Sequence, residues 1–250
     1  MTKVTLIGTG NVSYHLCKAF FERKIEVSLF GRNKLELEEF RNQFKIKEID
    51  KIEQIDEKSL VILSVNDDQI SSILSNLNRE ISVAYTSGSV ALNSLPVREN
   101  LGVFYPLQTF SKARKVDIFK TPFLIEATNE YFSQILFDLA WIISSKVEFA
   151  DSEKRKHIHL AAVFANNFTN HLLYLSKDYL AKNDIDFNLL KPLIKETFSK
   201  LEDLNPFDAQ TGPAKRMDFE TIVKQKNLLE GNNLEIYEVI TKSILETYKK

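Results

Sequence analysis

A chain of 250 residues holds one large domain or two ordinary ones, and 44% hydrophobic residues is an ordinary share for a globular protein. Its 33 Lys and Arg stand against 34 Asp and Glu, a net charge of −1 with both signs scattered, which argues against nucleic acid or an anionic membrane surface as the main partner. No apolar run is long enough to cross a bilayer, and the lone cysteine, Cys17, rules out an internal disulfide framework and fits a reducing compartment, so a cytoplasmic location is expected.

In chain order, the first element is the most informative. Lys3-Val4-Thr5-Leu6-Ile7-Gly8-Thr9-Gly10-Asn11-Val12-Ser13 is an apolar strand that runs into two glycines spaced by one residue, with helical periodicity beginning at once. The strand starts so near Met1 that no signal segment is expected ahead of it. A strand, a glycine loop and a helix in this order suit a diphosphate. Gly8 permits the tight turn, Gly10 lets backbone approach the ligand, and the helix N-terminus aims unpaired N–H groups at the anion. Ser13 stands where the usual fingerprint has a third glycine, and it is small enough to keep helix and strand close.

Val12, Leu16, Ala19 and Phe20 then share a helix face. A second strand is expected over 25–30, a charged amphipathic helix over 34–44 carrying Leu35, Leu37, Phe40 and Phe44, and a weak third strand over 45–49. Leu60 to Val65 is the cleanest buried strand, followed by a helix capped by Asn66 or Asp67 with Ile70, Ile73, Leu74 and Leu77 inward. Short strands over 81–85, 101–105 and 122–126, a helix over 129–143 and a strand over 146–149 complete the alternation. From Asp151 strand signals vanish. A helix capped by Asp151 or Ser152 is predicted to run to about Leu180, with others near 189–204, 218–229 and 234–248, the last with Ile236, Val239, Ile240 and Ile244 on one stripe. The expected architecture is α/β: a Rossmann-type, mostly parallel sheet over residues 1–150, then an all-α domain over 151–250.

In such a sheet the end of the second strand reads the adenosine ribose. A carboxylate there selects NAD, whereas an arginine accommodates a 2′-phosphate. Phe30-Gly31-Arg32-Asn33 lies about twenty residues beyond the glycine loop and holds no Asp or Glu. Arg32 offers a planar fork of donors, and the cofactor is read as NADP; the competing reading makes Arg32 a solvated turn residue. The expected cofactor contacts are Gly8, Thr9, Gly10, Asn11, Val12, Arg32 and Asn33, joined by Val65, Asn66, Ser87 and Gly88 from two further loops at the carboxyl ends of strands. Those two loops are equally good as plain strand-to-helix turns.

His159, Val163, Asn166 and Asn170 are spaced four, three and four along one helix, which puts them on one unusually polar face. A histidine with two amides can orient and protonate a carbonyl or imine beside a cofactor, so His159, Asn166 and Asn170 are the candidate catalytic residues. Against this, the same groups suit hydrogen bonds across a helix or dimer contact. His157 points elsewhere on the helix, and His171 is a weaker alternative. Thr211, Gly212 and Lys215, in a rigid Gly-Pro break before a helix capped by Asp218, are candidate substrate-binding residues, with an ordinary interhelical turn as the alternative. No Cys/His cluster has zinc-ligand spacing, so no metal is expected.

Gly8-Thr9-Gly10-Asn11-Val12, Tyr105-Pro106-Leu107-Gln108-Thr109-Phe110-Ser111, the run from His157 to Phe168 and Thr211-Gly212-Pro213-Ala214 occur in that order. With these four motifs the chain resembles, over nearly its whole length, the bacterial Rossmann-like NADP oxidoreductases whose C-terminal half is a domain of unknown function. That group is related to pyrroline-5-carboxylate reductase, the deazaflavin-dependent NADP oxidoreductases and the 6-phosphogluconate dehydrogenase superfamily. The resemblance implies a homodimer built on the helical domains and a substrate near the Thr211 turn, and it implies no particular substrate. The related β-hydroxyacid dehydrogenases carry a catalytic lysine three residues before an Asn-Asn pair. Here the pair is Asn166-Asn167 and the matching position is Val163, so oxidation by their mechanism is not expected. The leading expectation is NADP-dependent hydride transfer to or from a small carbonyl or imine in an interdomain cleft. The alternative is a dimeric NADP(H)-binding sensor without redox chemistry, and a site for S-adenosylmethionine fits less well because it has no use for Arg32.

Overall fold

The structure is a computed structural model that describes residues 3–249. An eight-stranded sheet has the order β3-β2-β1-β4-β5-β6-β7-β8. Its strands are β1 (Val4–Ile7), β2 (Val27–Phe30), β3 (Lys47–Ile49), β4 (Leu60–Leu63), β5 (Val83–Tyr85), β6 (Leu101–Pro106), β7 (Phe123–Ala127) and β8 (Val147–Phe149). Every neighbouring pair is parallel except β6 and β7. The reason is the connection: residues 107–122 carry only a single turn of 3-10 helix, too little for a crossover, so the chain doubles back beside β6.

Both faces of the sheet are covered, which is why its central strands read as nearly unbroken apolar runs. Val4, Leu6, Leu60 and Ile62 point to one side, where they meet Leu16 and Phe20 of α1 (Asn11–Glu22), Leu37 and Phe40 of α2 (Lys34–Gln43) and Phe132 and Leu136 of α4 (Glu130–Ile143). Ile7, Val61 and Leu63 point to the other, against Ile70 and Leu74 of α3 (Asp67–Asn76). Leu35, expected on the apolar face of α2, is 79% exposed. It stands two residues from Leu37, a step that turns a helical side chain to the opposite side.

The single helix predicted from Asp151 to about Leu180 is interrupted. After α5 (Ser152–Ala162), capped by the Asp151 carboxylate accepting from Lys154 N at 2.8 Å, residues Val163–Phe168 are π-helical and α6 (Thr169–Ala181) follows. The wider π turn shifts the phase of everything after it by about one residue, so one polar face is not maintained from His159 to Asn170. The helices near 189–204 and 218–229 are also shorter than expected: α7 (Lys191–Ser199) is flanked by 3-10 turns, the short α8 (Pro206–Ala209) was not foreseen, and α9 is Phe219–Lys226. Asp218 caps α9 as its position implies, accepting from Thr221 N at 3.1 Å, and α10 is Gly231–Tyr248.

The chain forms two compact units, up to Asn166 and from Asn167 onward. Composition turns helical at Asp151, but α5 still packs in the first unit. Arg155 on α5 is 1% exposed, ion-paired with Glu126 of β7, and donates from Nη2 to Val90 O at 2.6 Å. Among the described residues of the second unit, Ala209, Ala214 and Ile222 are the buried apolar side chains, while many larger ones are exposed.

Candidate active site

The strand order reverses between β1 and β4, and there the glycine loop opens. Gly8 has φ +113° and donates its N–H to Phe30 O at 2.9 Å. A Cβ at Gly8 would stand 2.2 Å from Ser64 O, so only glycine fits. Gly10 is the N-cap residue of α1 with no side chain bonding the first-turn amides, and the first turn contains no acidic residue. A Cβ built on Gly10 meets nothing within 4 Å. The amides of Asn11, Val12 and Ser13 therefore lack an intrahelical partner, and the helix presents its positive end to an open space.

That space is a groove of about 960 Å³ within the first unit. Gly8, Thr9, Gly10, Asn11, Val12, Arg32, Asn33, Val65, Asn66 and Ser87, drawn from the four segments that follow β1, β2, β4 and β5, all line it. Arg32 reaches across to Gln69 of α3, Nη2 to Oε1 at 3.3 Å. Asn33 also caps α2, its side-chain oxygen accepting from Leu35 N at 3.1 Å and Glu36 N at 3.4 Å. Asn66 occupies the N-cap position of α3 without a side-chain bond to it. Three carboxylates share the groove: Asp67, Asp68 and Glu36, the last accepting from the Thr9 hydroxyl. Glu36 was not anticipated, because one Glu within a Lys- and Glu-rich helix carries no distinguishing signal.

Gly88 stands one residue beyond the groove wall at Ser87. A Cβ on it would lie 2.7 Å from His159 Nδ1 and 2.7 Å from Tyr105 Cζ, so the loop is seated directly on both rings. The Tyr105 hydroxyl and His159 Nδ1 are 3.0 Å apart, and the rings meet edge to face. Burial pushes the Tyr105 hydroxyl above its ordinary pKa, and the Arg155 charge works in the opposite direction. Tyr105 is at the carboxyl end of β6, the ligand side of the sheet. Its role was not foreseen, although it heads the Tyr105–Ser111 motif. The groove can hold an anion at the amide end of α1, and Gly88, next to Ser87 of its wall, is the residue seated against the Tyr105–His159 pair.

The other expected residues lie each within one of the two units. Asn166 is exposed in the π-helical segment, and Asn170 is exposed on α6. Thr211 and Gly212 line an apolar pocket of about 550 Å³ inside the second unit, among Leu175, Tyr179, Ile236 and Ile240. The Lys215 ammonium is engaged within that unit, donating to Gln210 O at 2.7 Å and Asp208 O at 3.3 Å. Cys17 is fully buried, and burial pushes its thiol up to about 12, as befits a packing residue of α1. Among the described residues no cluster could hold a metal, and no helix is long and apolar enough to cross a membrane.

The family model described as "NADP oxidoreductase coenzyme F420-dependent" matches residues 3–85, and that of a domain of unknown function (DUF2520) matches residues 121–244. The crystal structure of a putative NADP oxidoreductase from Bacteroides fragilis is 35% identical over 98% of both chains, with a TM-score of 0.88. The reductive aminase of Aspergillus terreus in complex with NADPH and ethyl levulinate shares the fold at 13% identity, TM-score 0.73, over 98% of this chain and 94% of its own. The pyrroline carboxylate reductase of Plasmodium falciparum with NADP bound does so at 11% identity, TM-score 0.62, over 99% and 98%. None of the curated proteins compared with the chain matches it.

Proposed function

This chain belongs to the NADP oxidoreductase family of the Bacteroides fragilis protein, and from that premise we propose that it transfers hydride between NADP(H) and a small carbonyl or imine compound. The observation that carries the proposal is the uncapped N-terminus of α1, open on a groove lined by Ser87, whose neighbour Gly88 sits against His159. The first-turn amides of α1 bind the diphosphate and Gly10 leaves it room. Arg32 holds the 2′-phosphate and exchanges its weak contact with Gln69 for a charged one. Bound there, the dinucleotide supplies the hydride. His159 gives or takes the proton that balances it, a task suited to a group whose ordinary pKa lies near neutrality. Thr211 and Gly212 contribute to substrate binding, and the exposed apolar helices of the second unit pair with those of a second copy.

The deciding experiment is a titration of NADPH and NADH against the wild type and Arg32→Ala. We expect a preference for NADPH that falls by about tenfold or more in the variant, the worth of one charge-assisted phosphate contact. Equal affinity for both nucleotides in the wild type would overturn the cofactor assignment. Oxidation of NADPH with a panel of ketones and imines separates an enzyme from a sensor, which would bind tightly and turn nothing over.

A further inference from the structure

The Tyr105–His159 contact has a chemical consequence beyond adjacency. A neutral imidazole carries one proton, on Nδ1 or on Nε2, and the partner of one nitrogen decides which. The partner here is a half-buried phenol hydroxyl 3.0 Å from Nδ1. Among the described residues Nδ1 is the only protein group that hydroxyl bonds. If Nδ1 bore the proton, it would donate to the phenol oxygen and leave the phenol proton without a protein acceptor in a half-buried place. If Tyr105 donates, both groups are satisfied and the imidazole proton sits on Nε2.

We propose that Tyr105 is the positioning residue that fixes His159 as its Nε2–H tautomer, with that nitrogen reserved for the substrate proton. The inference rests on the reading of His159 as the proton-exchanging group. A hydroxyl suits the place better than an ionised carboxylate, which can only accept, because it serves both charge states of the ring. It donates to the neutral ring and, with a half-turn of its own proton, accepts from Nδ1–H of the imidazolium. Tyr105 itself need never ionise, and burial keeps its proton in place. Gly88 completes the arrangement: any side chain there would wedge between the two rings, since even a Cβ comes within 2.7 Å of each.

The test reads the tautomer directly, with neither cofactor nor substrate present. In long-range ¹H–¹⁵N correlation spectra of the full chain labelled at histidine nitrogens, taken above the ring's titration, His159 is assigned by its disappearance in His159→Ala. The expected wild-type result is a protonated Nε2 and a bare Nδ1. In Tyr105→Phe the two shifts move towards the average of a mixture, while NADPH affinity, titrated separately, stays within about twofold of wild type. A wild-type ring protonated on Nδ1 overturns the proposal, as does a Tyr105→Phe spectrum unchanged from wild type. If that variant does not fold, the wild-type spectrum alone decides. Full turnover in His159→Ala would sink the proton-exchange reading and not the tautomer, so the two failures are distinguishable.

Discussion

At the scale of single residues, the groove sets one cation against three carboxylates, and the balance makes a prediction. Arg32, Glu36, Asp67 and Asp68 line one space, which in the proposed function takes a 2′-phosphate and a diphosphate. The Thr9 hydroxyl donates to the Glu36 carboxylate. Replacing it by Glu36→Gln keeps the acceptor oxygen for Thr9 and removes the charge. Nearby like charges in a partly solvated site repel by roughly 1 kcal/mol. NADPH should therefore bind about threefold to tenfold tighter to the variant, with NADH changed less, as calorimetry at low salt would show; unchanged or weaker NADPH binding would mean that Glu36 lies away from the phosphate. Gly8 was legible in the sequence because no other residue tolerates its geometry, and Gly10 because it stands one residue further on, at the mouth of the helix. Glu36 was not, because its role comes from the approach of Thr9 and α2, which are far apart in the chain.

At the scale of elements, α5 carries His159 and is held by a buried ion pair. Its register on the sheet is set one turn earlier by Arg155, held between Glu126 of β7 and Val90 of the loop that follows β5, while Ser152 bonds the same carboxylate at 2.9 and 3.0 Å. That loop also carries Gly88, so one buried guanidinium ties together both sides of the His159 environment. Removing one partner strands the other charge, which costs about 3–5 kcal/mol. Arg155→Met should lower the stability measured in urea by about that amount, and the double variant with Glu126→Leu should recover a large part of it, because a matched apolar pair bears no desolvation penalty. A single variant as stable as wild type would show that the ion pair does not hold α5. The strands and the helices beside them were legible from apolar periodicity, since each face has its own core to fill. The π-helical segment was not: an extra residue in one turn shifts phase without altering composition, and the spacing of His159, Asn166 and Asn170 looked regular for that reason. Nor could the sequence place Arg155, because an arginine in a run of Glu, Lys and His reads as solvated until its partners arrive from residues 90 and 126.

At the scale of the whole molecule, the second unit poses a problem of burial. Its helices are amphipathic and were readily foreseen, but their periodicity does not say what the apolar faces cover, and the expectation of a homodimer came from the family resemblance alone. Among its described residues the buried apolar side chains are two alanines and one isoleucine, whereas Leu193 is 63% and Val239 is 68% exposed. A helical unit with so small a core of its own gains little from hydrophobic burial, and exposed apolar patches on this scale mark an interaction surface. A second copy of the chain meets the need with the least assumption, since an isologous pairing matches like surface with like. If stability depends on that pairing, the melting temperature must rise with protein concentration, because association stabilises by mass action. Two glutamates at the pairing surface, Leu193→Glu with Val239→Glu, should then convert a dimer to a monomer in light scattering coupled to size exclusion and lower the melting temperature by several degrees, as a loss of about 1–2 kcal/mol does for a domain of this size. A wild type that is monomeric at every concentration, with a melting temperature independent of it, would mean that the apolar faces of the second unit are not covered by a twin.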